Sequence, residues 1–239
     1  MVAPAVTSHR PPRPRRRKHP DYDVNVFINC PFDDDYEPLF RAIVFTVFSC
    51  GFIPQCAKGE SNQNLRFQRI IELIGECRYG LHDLSRIELG EMPRNNMPLE
   101  LGVFIGCMRF GSPFDYEKEY LILDSDAHRY NQHTSDVKAD DADYHHNNPA
   151  EVIERVRDWL ANRPFRDRSQ PIPGADWLLE RYMRFDVDAP ALCQELFLTF
   201  SKLKFNEFCT VTIEWLTQQQ AILEAARKEY LNPKHSGKT

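Results

Sequence analysis

The sequence predicts an α/β protein: a small parallel sheet, strand order about 2-1-3-4, flanked by helices and followed by a C-terminal helical extension. Three observations predict it. Short apolar runs alternate with segments of helical period between residues 24 and 124, the pattern of successive strand–helix–strand units. Beyond residue 149 only helical patterns follow. Hydrophobic residues make up 42% and charged residues 27% of 239, the balance of a globular chain.

The elements follow in order. Val24 to Asn29 is an apolar run bounded by charge and proline, a buried strand. Cys30 to Asp35 is a loop, with Asp35 placed to cap the next helix. Residues 37–49 carry Leu39, Ile43 and Val47 on a wide apolar helical face, and Gly51 ends the helix. Phe52 to Cys56 is a second strand, and Pro54 puts it at a sheet edge. Residues 64–75 form a helix, and Tyr79 to Leu84 a third strand. A loop runs to Asn96. Pro98, favoured in a first turn, opens a helix to about Arg109. Tyr120 to Asp124 is the fourth strand. The polar stretch 125–148 is a long loop, with His145 and His146 exposed in it. Helices are expected at 149–162, 175–184, 189–204 and 206–229. The expected order is flavodoxin-like, so a ligand belongs where the loops after Asn29 and Asp83 face each other, at the carboxyl ends of the strands.

Charge divides the chain. Residues 1–20 hold six basic residues, no acid and five of the 17 prolines, and read as a disordered basic tail. Without them, 24 basic residues face 35 acidic ones, a net −11 against −5 for the whole chain. Such a body is not built to bind duplex DNA, which requires Lys and Arg to neutralise phosphates. No window is apolar for the ~20 residues that span a bilayer. The expected organisation is 1–20 tail, 21–148 α/β domain, 149–229 helical extension and 230–239 frayed terminus. Seven cysteines without a C-x-x-C pair read as reduced thiols of a cytoplasmic protein. No metal-ligand spacing is present.

Neither a G-x-G-x-x-G nor a Walker loop occurs. Cys30, at a strand end, is the best thiol nucleophile, although a structural thiol is the stronger reading. The informative stretch is Asn95 to Gly106. Glu100 is expected in the first turn of an otherwise apolar helix, where the helix dipole favours a carboxylate. It either stabilises the helix or points at a ligand.

The segment Met97-Pro98-Leu99-Glu100-Leu101-Gly102 resembles the Glu-Leu-Gly segment of nucleoside 2-deoxyribosyltransferases, whose glutamate attacks an anomeric carbon. TIR domains that cleave NAD are similar, with a glutamate heading the corresponding helix. Val26 to Ile43 resembles the opening strand and substrate-contacting loop of that superfamily, and His82-Asp83-Leu84-Ser85 its strand before the catalytic helix. The resemblance covers about residues 22–125. The chain departs from it at Arg94, Asn95 and Asn96, where the transferases carry a helper carboxylate, and lacks the aromatic–cysteine pair of TIR domains.

The resemblance implies cleavage of an N-glycosidic bond, with NAD the expected substrate and no cofactor or metal required. Glu100 meets the anomeric carbon. Asp83 bonds ribose hydroxyls or positions Glu100. Ser85 and Asn96 add hydrogen bonds, and Phe32 stacks on a base or nicotinamide. Asn29 holds ribose or phosphate. Cys30, Pro31 and Met97 line the substrate, and Arg86 or Arg94 takes a phosphate. The structural alternatives are Asp83 as a turn cap, Asn96 as a helix cap and Phe32 as core. The family also implies an antiphage defence effector, with self-assembly or a defence-system partner engaged through the helical extension. A binding module for a nucleotide or nucleotide signal is the alternative, and a pure interaction scaffold a third.

Overall fold

The computed structural model describes residues 16–59, 63–85, 96–126, 142–164 and 171–231. Its strands are β1 (Asn25–Asn29), β2 (Ile53–Gln55), β3 (Tyr79–Asp83), β4 (Glu119–Asp124) and β5 (Ala142–Tyr144). Its helices are α1 (Glu37–Ser49), α2 (Gln63–Glu76), α3 (Asn96–Phe110), α4 (Pro149–Ala161), α5 (Ala175–Glu195) and α6 (Phe205–Leu231). The sheet order is β2-β1-β3-β4-β5, and every pairing is parallel. This is the expected α/β fold with one further strand. Pro54 sits in β2, at the sheet edge, where its missing N–H costs no ladder bond.

Alternation along the strands builds two apolar layers. Val26, Ile28, Tyr79, Leu81, Leu121 and Leu123 face α1 and the C-terminal helices. Phe27 and Ile122 face the opposite side, against residues of α2 and α3. Gly80 is on that second side, and only a hydrogen fits there: a Cβ would stand 2.7 Å from His82 Nε2 and 2.9 Å from the Phe104 ring.

The C-terminal helices share the core of the sheet. Phe45 of α1 packs its ring 5.2 Å from Phe185 of α5 and 5.9 Å from Trp215 of α6. The Trp215 Nε1 hydrogen finds Asp188 Oδ2 at 2.9 Å, so the indole is buried without an orphaned donor. The expected line at 148/149 therefore divides sequence patterns, not cores. No helix among the described residues is long and apolar enough to cross a membrane.

Several expectations are corrected. Helices expected at 175–184 and 189–204 are one helix, α5, which runs through Pro190 and stops at Leu196. Its end is fixed by Leu198 N–H donating to Cys193 O at 2.7 Å and Phe197 N–H to Gln194 O at 3.1 Å, the paired bonds that close helices in a left-handed residue. Phe197 is that residue, with φ 58°. Asp35 does not cap α1: the cap position is Tyr36, without a side-chain cap, and Asp33 Oδ1 accepts the Tyr36 N–H at 3.1 Å. The loop expected over 125–148 contains β5, because Ile122 to Asp124 present a free edge to Ala142–Tyr144.

Residues 1–15 of the expected tail, and 232–239, lie outside the described residues. Arg16 is packed on the body: Nη2 reaches Asp115 Oδ1 at 2.6 Å and the guanidinium lies 5.1 Å from the Phe114 ring centroid. Asp115 is fully buried and also accepts from Tyr22 Oη at 3.2 Å and Ser112 N–H at 2.8 Å. Lys118 beside it donates to Ile74 O at 2.6 Å and to Cys77 O, answering free carbonyls at the end of α2. This charged cluster closes the edge of the sheet opposite the carboxyl ends. A groove of about 1090 Å³ runs beside it, lined by residues including Arg16, Glu72 and Asp115.

Candidate functional site

In the order β2-β1-β3-β4-β5 the chain reverses its winding between β1 and β3. The loops leaving Asn29 and Asp83 therefore open a crevice at the carboxyl edge, where α/β sheets hold ligands. A cavity of about 220 Å³ lies there, lined by Cys30, Pro31, Phe32, Asp33, Arg66, Asn96 and Met97. Five of the residues expected to bind substrate are thus on one wall.

Asn29, expected at the ligand, does not line the cavity and is 2% exposed. Its amide nitrogen donates to Met97 O at 2.9 Å and lies 3.0 Å from His82 Nδ1. Both amide hydrogens are thereby used to tie β1 to β3 and to the start of α3, in place of the ribose or phosphate expected for them. That contact makes His82 Nδ1 an acceptor and puts the ring proton on Nε2. Burial pushes the pKa of His82 down to about 3, so the ring is neutral. It packs edge-on to Phe104 at 5.1 Å.

Glu100 is one helical turn beyond Asn96 and 7% exposed. Helical backbone already begins at Asn96, so Glu100 lies beyond the first turn. The helix dipole expected to favour its charge is therefore too remote to dominate. Burial pushes its acid up to about 7; the Arg66 guanidinium and a hydrogen bond with the Asn96 side chain work against that rise. A carboxyl with this balance exchanges its proton near neutrality, which suits a group that must be charged at one stage of a reaction. Cys30 is 2% exposed and its thiol is held well above its ordinary value, by burial first and by nearby Cys56 next. It is a wall of the cavity in its protonated form and not an activated nucleophile.

Asp83 is not presented to the cavity. It is 1% exposed. Oδ1 accepts Ser85 N–H at 2.9 Å, and Oδ2 accepts Tyr36 Oη–H at 2.5 Å and lies 2.9 Å from His145 Nε2. His145 Nδ1 accepts Asn147 N–H at 3.1 Å, so its proton is on Nε2, facing the carboxylate. Burial alone raises the acid of Asp83; the bonds from His145, Ser85 and Tyr36 outweigh it and hold the carboxyl below its ordinary value. The expected exposed pair His145/His146 is split: His145 is fully buried, while His146 is exposed and paired with Glu151 at 2.7 Å. The physical reason is β5, which delivers His145 to the end of β3.

Ser85 is 2% exposed, and its hydroxyl has no partner among the described residues. Phe32 is both cavity wall and core margin: its ring is 5.8 Å from Phe40, with the Arg66 and Lys58 cations 5.6 and 5.8 Å from its centroid. Lys58 is committed to Glu37. Arg86 and Arg94, expected to take a phosphate, lie outside the described residues. Among the described residues no three His, Cys, Asp or Glu side chains gather as a metal site needs.

Sequence reading missed Arg66, Tyr36 and His145. Arg66 carried no signal, being one polar residue on an amphipathic helix. His145 would have required recognising Ala142–Tyr144 as a strand, which a three-residue run does not announce. No family model matches the chain, and no match to a curated protein was found.

Proposed function

We propose that this chain cleaves the N-glycosidic bond of NAD or a related nucleotide, with the Glu100 carboxylate at the anomeric carbon. The observation that carries the reading is a buried carboxyl, shifted to about 7, that does not itself line the small cavity at the crevice between β1 and β3 but bonds Asn96 and feels Arg66, both of which do. Bond cleavage places positive charge on the anomeric carbon, and a carboxylate in a site of low polarity stabilises or captures that charge. Phe32 offers a ring face to the departing base, and Asn96 fixes the orientation of Glu100. Asn29 and Asp83 act behind the cavity: Asn29 pins the start of α3, and Asp83 pins the loops after β1, β3 and β5.

At about 220 Å³ the cavity suits one ring and a sugar more than a whole dinucleotide, so the rest of NAD would extend along the mouth. The engagement of Asp83 by three partners removes it from contact with a ligand and favours a second reading, recognition of a nucleotide without turnover. Incubation with NAD separates them. The first reading predicts nicotinamide and ADP-ribose in equal amounts, and none from Glu100→Gln. Saturable binding of NAD with no product would select the second. The place in antiphage defence and the assembly through α4 to α6 remain proposals that rest on the family resemblance alone.

A further inference from the structure

Arg66 stands out among the charged groups of the crevice. It is half-buried on α2, lines the cavity and lies over the Phe32 ring at 5.6 Å. Among the described residues it has neither a carboxylate at ion-pair distance nor a hydrogen-bond acceptor. The neighbouring cations differ: Lys58 is tied to Glu37, and Arg41 to Glu37 at 3.0 Å and to Phe200 O at 3.1 Å. A guanidinium presents a planar fork of donors that matches two oxygens of a phosphate. Held over an aromatic ring, it keeps that fork in one plane, at less entropic cost on binding.

We propose that Arg66 binds the 5′-phosphate of the ribosyl ligand, so that the cavity accepts nucleoside 5′-phosphates and their dinucleotides and discriminates against free nucleosides. This rests on the reading of Glu100 as the group at the anomeric carbon. A ribose puts a single ring between C1′ and its 5′-phosphate. The groups answering those two positions must therefore be near neighbours. Glu100 and Arg66 are: each lies within the other's electrostatic reach, and Asn96 joins both, bonding Glu100 and lining the cavity with Arg66. Phe32, under the Arg66 guanidinium, lines the same cavity as Cys30 and Met97. The arrangement separates the two chemistries suggested by the sequence. A nucleoside transferase has no phosphate to hold, whereas a nucleotide-cleaving site does.

The test compares NAD, nicotinamide mononucleotide and nicotinamide riboside on the full chain, wild type beside Arg66→Ala and Arg66→Lys. Each variant is assayed as a full pH profile, so that a change in the ionisation of Glu100 on loss of Arg66 is read apart from a change in phosphate binding. Loss of a charge-assisted bond of about 1.5–3 kcal/mol corresponds to a 10- to 150-fold loss. The expected result is that loss in kcat/KM for NAD and the mononucleotide in Arg66→Ala, a far smaller change for the riboside, and partial recovery in Arg66→Lys. An equal loss for all three ligands, or no loss, overturns the proposal. A parallel measurement does not need turnover: the mononucleotide should raise the melting temperature of Glu100→Gln and not that of the Arg66→Ala/Glu100→Gln double variant. If no ligand is cleaved but this shift appears and vanishes as stated, the cleavage reading falls and the phosphate site stands. If the mononucleotide shifts neither protein, or both alike, the phosphate site falls.

Discussion

Two buried carboxyls at one sheet edge are driven in opposite directions. Glu100 meets burial with little compensation, and its acid rises to about 7. Asp83 is more deeply buried, but three donors hold it below its ordinary value. The signs of their pH effects differ accordingly. Glu100 keeps its proton up to about pH 7 when folded and releases it near 4.5 in an unfolded chain. The folded state therefore binds the extra proton between those values, and stability falls as pH rises through that window. Glu100→Gln should raise the melting temperature at pH 8, by a stability gain on the order of 1–3 kcal/mol, and have little effect near pH 4. A gain of the same size at both values would contradict the assignment. Asp83 contributes stability above its ordinary value, which is lost as pH falls through the depressed folded value. Asp83→Asn, which leaves His145 and Tyr36 facing an amide, should cost about 3–5 kcal/mol in urea titrations at pH 7. Glu100 was legible in the sequence, because one acid in an apolar helix is conspicuous. The commitment of Asp83 was not, since both Tyr36 and His145 are distant in the chain.

At the scale of elements, the first four strands follow from the apolar runs, because a strand covered on both faces is apolar throughout. β5 was hidden, being a short edge strand in a polar stretch whose place comes from pairing with β4. Its role is larger than its length, since the backbone bond from His145 N–H to Asp124 O at 3.0 Å brings the imidazole to Asp83. His145→Ala should destabilise the fold by about 2–4 kcal/mol. Hydrogen exchange should show the amides of β5 losing protection before those of β1. The two helices expected at 175–184 and 189–204 are joined through Pro190, and the break comes at Phe197 instead. Phe197 is 97% exposed, with φ 58°, a backbone region that glycine enters at less cost. Phe197→Gly should stabilise the protein by about 1 kcal/mol, seen as a higher urea midpoint at unchanged slope. A lower midpoint would show that the ring is held by contacts that offset the strain.

In the whole molecule, α1 is enclosed between the sheet and the C-terminal helices, so one core serves both sequence regions. In that core the Phe45 ring lies 5.3 Å from Tyr182, 5.2 Å from Phe185 and 5.9 Å from Trp215, and Phe185 lies 5.6 Å from Trp215. Unfolding should be a single transition, and the chain cut at residue 148 should fail to fold by near-ultraviolet dichroism, since α1 would expose its buried face. Against the net −11 of residues 21–239, Arg66 at the crevice, with no carboxylate partner among the described residues, is a local positive site. The role of Glu100 is read out by release of nicotinamide from NAD at high protein concentration. The wild type should release nicotinamide steadily, and Glu100→Gln folded to the same secondary structure should release none. Equal release by both proteins, or none by the wild type, would contradict that role.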